Sequence, residues 1–158
     1  MSFLRFLMLL SLVVWLGGIT FFAFVLAPTV FRVLPTHELA GTVVNRTIPV
    51  LHWMGVVSGI VFLATSMTYS AMTTGSAQAL APRHLLVVLM LVLTLVSMFT
   101  ISSRMMALRA EMGVIDTVPQ DDPRRVEFNR LHHWSTRVEG SVYLIGLVVL
   151  YLTAKAGG

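Results

Sequence analysis

The sequence predicts an all-α integral membrane protein, an up-down-up-down bundle of four helices. Three observations carry this. The chain of 158 residues has a mean hydropathy of +0.85. Only 11% of its residues are charged, whereas a soluble domain carries about a quarter. Its apolar residues gather into four stretches, each near the ~20 residues that a helix needs to cross a ~30 Å hydrocarbon core. All of residues 1–158 read as one membrane domain.

The first predicted span is about 6–27, which holds no charge. Met1–Arg5 resembles the basic start of a signal peptide. The apolar run is too long for one, however, and no small-x-small cleavage site follows, so the segment is expected to be retained. Gly17 and Gly18 remove side chains at mid-helix and are read as packing positions. Pro28 predicts a kink or an end.

Thr36 is the expected N-cap of a short interfacial helix over about 37–46. Pro49 then starts or kinks a second span over about 48–72. Gly55 and Gly59, four apart with Ser58 between them, form a flat stripe for helix packing. The third span covers about 84–103 and carries Thr94, Ser97 and Arg104 along one face. It continues out of the membrane to Met112, where Gly113 stops it. Asp122 followed by Pro123 is a strong helix start, a capping acceptor and then proline in the first turn. With no breaker beyond, one helix of about 30 residues is expected, spanning over about 135–154. Helices three and four thus extend into the cytoplasm.

Orientation follows the arginines. Eight of them, Arg32, Arg46, Arg104, Arg109, Arg124, Arg125, Arg130 and Arg137, fall at one end, against Arg5, Arg83 and Lys155 at the other. This places the first and third loops in the cytoplasm and both termini outside it, in the plasma membrane (the inner membrane, for a bacterial protein). The formal net charge of +4 suits membrane orientation and lipid headgroups, and nucleic acid is not expected as a partner. The absence of cysteine excludes disulfides, thiolate metal sites and thiol catalysis. No soluble catalytic motif occurs, and the reading leans away from an enzyme.

The densest polar cluster is Arg130–Gly140. His132, Ser135 and Glu139 lie at i, i+3 and i+7 and share one helix face, with Tyr143 a turn deeper. His133 and Arg137 share a neighbouring face. The apolar run after Glu139 is only about 15 residues, short of a crossing, so Glu139 is expected at or inside the hydrocarbon boundary with a partner. His52 and Arg104 are expected at the same end. The functional reading is a cytoplasm-facing pocket of His52, Arg104, His132, Ser135 and Glu139, suited to a small ion, metal or amphiphile. His52, His132 and Glu139 would form a His/His/carboxylate metal set. The bland reading is an Arg104–Glu139 ion pair that locks two helices. His84 is expected outside this site, His37 in a solvated loop, and Trp53 and Trp134 in the aromatic belts. Trp15 lies too deep in its span for an anchor.

Several motifs carry a resemblance. Trp15-Leu16-Gly17-Gly18, Pro28, Phe31-Arg32-x-Leu34-Pro35, Gly41 and Phe128…Arg130-x-His132-x-x-Ser135 resemble the transmembrane-protein-205-like family, the bacterial domain of unknown function 4149. The resemblance implies a small four-span membrane protein without an established activity. It supports Arg32, Arg130, His132 and Ser135 as candidates and assigns them no roles. The family often has Asn near the position of Glu139. A more distant likeness joins copper-resistance D-type proteins and the haem-binding oxidases of haem synthesis. Those oxidases are expected to carry a span-one histidine that this chain lacks, which argues against haem. Two other readings stay open: an accessory subunit or homo-oligomer of a larger membrane complex, and a haem redox protein.

Overall fold

The computed structural model describes residues Ser2–Lys155. They form four long helices: α1 (Ser2–Val33), α2 (His37–Thr74), α3 (Pro82–Met112) and α4 (Pro123–Lys155). A single 3-10 turn, Ile115–Thr117, lies before α4. The described residues contain no strand. Each helix is long and apolar enough to cross a membrane. Sequence neighbours pack together, and α1 also touches α4, which closes the ring.

The bundle is apolar inside and outside. Trp15, Phe62, Val87, Met90, Val142 and Val149 fill the middle. Phe3, Phe24, Val50, Leu144 and Tyr151 stand exposed on the outer faces. Such surfaces would associate in water and are at home in lipid.

The helix ends follow local chemistry. Thr36 caps α2 by accepting a hydrogen bond from the Leu39 N–H at 3.2 Å. Asp122 caps α4 by accepting from the Arg124 N–H at 2.8 Å, with Pro123 in the first turn. Gly113 ends α3 with φ +67°, a backbone that side chains disfavour. Arg125 holds the preceding turn by donating to the Ile115 and Val118 carbonyls.

Three expectations are corrected. The first helix does not end at Pro28. It widens into a π turn at Phe22–Leu26, where the Ala27 N–H donates to the Phe22 carbonyl, and then runs on to Val33. The wide turn absorbs the donor that proline lacks. The interfacial helix and the second span are one helix, His37–Thr74, with Pro49 inside it. Proline there removes one bond, to the Asn45 carbonyl, and the helix continues on either side of it. His37 accordingly opens a helix rather than sitting in a loop, with its ring 6.1 Å from that of Phe31.

The glycines divide. Gly55 and Gly59 receive the Trp15 indole, and Leu91 also covers Gly59. An added Cβ at Gly55 would lie 2.5 Å from Trp15 Nε1. Gly18 is covered by Met54 and Leu51. Gly17 is the exception: it faces outward with nothing within 4 Å, so no helix of this bundle packs on it. Adjacent helical residues point about 100° apart, so one of the pair had to miss the contact.

Candidate functional site

Glu139 on α4 meets His52 on α2. His52 Nε2 lies 2.8 Å from Glu139 Oε1. The His52 side chain is 2% exposed and that of Glu139 24%. An ionised carboxylate only accepts, so the imidazole hydrogen belongs on Nε2. In a neutral imidazole Nδ1 is then the lone pair, and Nδ1 has no hydrogen-bond partner among the described residues.

Beside the pair lies a cleft of about 480 Å³. Its walls come from the π turn of α1 (Phe22, Ala23), from α2 (Val44, Ile48, Pro49) and from α3 (Met105, Met106). The predicted polar face of α4 forms the remaining wall: His132, Ser135, Glu139 and Tyr143 all line the cleft, with Thr136 beside them. Asn45 also lines the cleft, and Pro49 leaves its carbonyl without the usual helical donor. Glu139 is the sole charged residue among the lining, and no Lys or Arg joins it.

Arg104 does not reach Glu139. Its Nε and Nη2 donate to the two carboxylate oxygens of Glu127 at 2.9 and 3.0 Å, in a pair exposed to solvent. The expected Arg104–Glu139 lock is thereby replaced by His52–Glu139. Arg104 lies two turns beyond Ser97, roughly 10 Å further towards the outer end of α3, which puts it level with Glu127 rather than Glu139. The metal set does not assemble either. No group of three or more His, Asp or Glu residues placed to hold a metal ion occurs among the described residues. His52 and Glu139 bond to each other, and His132 lines the cleft without joining them.

The other candidates lie apart. Arg32 and Arg130 are exposed and do not line the cleft. His133 is exposed, and Arg137 lies over Trp134 at 5.5 Å. His84 lies at the opposite end, outside the cleft, and is buried there. Its Nε2 meets Ser66 Oγ at 2.8 Å and its Nδ1 meets the Gln78 carbonyl at 3.0 Å. These bonds clamp the 75–81 loop. Arg109, which sequence reasoning passed over, donates to Glu38 Oε1 at 2.7 Å and lies over Gly41. It ties the end of α3 to the start of α2.

A family model described as a domain of unknown function (DUF4149) matches residues 10–113. The match covers most of the chain. The protein belongs to the DUF4149 family. No curated protein and no solved structure matches it. The DUF4149 match takes in α2 and α3 with most of α1, and it ends at the glycine that closes α3. His52 therefore lies within the DUF4149 region, whereas His132, Ser135 and Glu139 lie beyond it.

Proposed function

We propose that this DUF4149 protein is a multi-pass membrane protein that binds an amphiphile with a cationic or hydrogen-donating head. The observation that carries this reading is the cleft beside Glu139. A largely apolar cavity of about 480 Å³ with one carboxylate at its polar wall has room for an alkyl or aromatic body and a partner for one head group. An anionic head is disfavoured, because Arg104 and Arg109 are spent on Glu127 and Glu38. His132, Ser135 and Asn45 supply the neutral hydrogen bonds that would orient the head. The arginine-rich end of the bundle, which holds the cleft, faces the cytoplasm in this reading. The outer ends of α3 and α4 project there, and both termini lie outside.

Binding of a fluorescent dodecylamine to the purified protein in nanodiscs tests the proposal. Saturable binding is expected, with a dodecyl sulfonate of the same tail much weaker. Hydrogen bonds to a charged group contribute about 1.5–3 kcal/mol, so Glu139→Gln should weaken the amine by roughly tenfold or more. Equal binding of both heads, or unchanged binding in the variant, would overturn the assignment.

A further inference from the structure

Three buried side-chain polar atoms have no hydrogen-bond partner among the described residues: His52 Nδ1, Thr94 Oγ1 and Ser97 Oγ. Their residues are 2%, 2% and 0% exposed. The two hydroxyls are unusual for this molecule. Many of its other helical threonines and serines return their hydroxyl to a carbonyl one turn back, as Thr20, Thr65, Thr136, Ser141 and Thr153 do. That bond is open to any hydroxyl on a helix. Thr94 and Ser97 decline it, and they lie one turn apart on one face of α3.

The helix register brings His52 and Ser97 to one level, with Thr94 in the adjoining turn. Gly59 faces Leu91, and Gly146 faces Met90. The Ser66–His84 bond sets the same antiparallel register between α2 and α3. Following these pairs two turns towards the arginine-rich end brings Ser97 into the layer of His52 and Glu139. Thr94 sits one turn deeper. The π turn of α3 begins at Ser97, and such turns recur at functional positions.

We propose that His52 Nδ1, Ser97 Oγ and Thr94 Oγ1 form a buried water-binding site behind the His52–Glu139 pair. Unpaired polar groups are costly to bury, and an internal water takes about two to four polar partners. This layer and the turn beneath it offer the Nδ1 of a neutral imidazole as acceptor and two hydroxyls, each able to donate and to accept. A hard cation would ask for about six oxygens. A water that donates to Nδ1 holds the imidazole hydrogen on Nε2, aimed at Glu139. His52 is thus a positioning residue for the carboxylate at the cleft. Beyond it the buried apolar core continues through Met90, Val142 and Val87.

Solid-state NMR on ¹⁵N-histidine protein in nanodiscs, with magnetisation transferred from water, tests the site without any amphiphile. Its outcome is therefore separate from that of the cleft reading. Rapid transfer to the His52 ring is expected, with Nδ1 unprotonated and hydrogen-bonded. The double variant Thr94→Val/Ser97→Ala should lose more than half of the transfer and shift His52 towards the Nδ1–H tautomer. If that variant fails to fold, Ser97→Ala alone carries the comparison. No transfer in the wild type, or transfer unchanged by the substitutions, would sink the proposal.

Discussion

His52 Nε2 stands 2.8 Å from Glu139 Oε1, a bond between helices whose partners lie 87 positions apart in the chain. It joins a fully buried ring to a half-buried carboxylate, so the two substitutions that break it are not equivalent. His52→Ala strands the carboxylate beside a new cavity and is expected to cost roughly 3–5 kcal/mol. Glu139→Gln keeps an acceptor for the Nε2 hydrogen and should cost about 1 kcal/mol. Unfolding in mixed micelles measures both. Equal losses would mean that the pair does not hold the helices.

The glycine contacts predict an asymmetry along α1 and α2. Gly55→Ala drives a methyl into the Trp15 indole and should destabilise by roughly 1–3 kcal/mol. Gly17→Ala meets open space and should be neutral or stabilise by up to about 1 kcal/mol. The same unfolding measurement ranks them, and a harmful Gly17→Ala would contradict the packing described.

Arg104 pairs with Glu127 at the surface and takes no part in the cleft. Arg104→Ala should therefore leave dodecylamine affinity within about twofold of wild type, since exposed pairs contribute little. A large loss would return Arg104 to the site.

The α4 cap has a pH signature. Side-chain and then backbone hydrogen bonds from Arg124 hold the Asp122 carboxyl down from 3.8 to about 2. A depressed carboxyl stabilises above its unfolded pKa, and that contribution fades as pH falls from about 4 through about 2. Amide exchange at Val126 should quicken over that window. Asp122→Asn should flatten the dependence, and an unchanged profile would refute the cap's role.

The chain has no cysteine, so introduced thiols report topology without background. Thr117→Cys should resist a membrane-impermeant maleimide in intact cells, and Ser76→Cys should react. The reverse pattern would invert the proposed orientation.

Much of the architecture is legible residue by residue. Thr36, Gly113 and Asp122–Pro123 end or begin helices because their capping bonds and backbone angles act within a single turn. The shared face of His132, Ser135 and Glu139 is visible because helical spacing alone sets it. Whether a helix ends at Pro28 or begins at Pro49 is not legible, because neighbouring helices can offset proline's local cost. The walls of the cleft at Phe22, Ala23 and Met106 carry no signal that distinguishes them from other lipid-compatible residues.

By itself the sequence determined four apolar helices, most of their ends and the polar face of α4. Each of these depends on interactions within a turn or on the total apolar length of a segment. Only the tertiary structure decided that Glu139 meets His52 rather than Arg104, that Gly18 packs while Gly17 does not, and that a cleft opens beside the pair. Those outcomes depend on helix rotation and register. Neither is set by interactions within a single turn, which are all that local sequence reasoning reads.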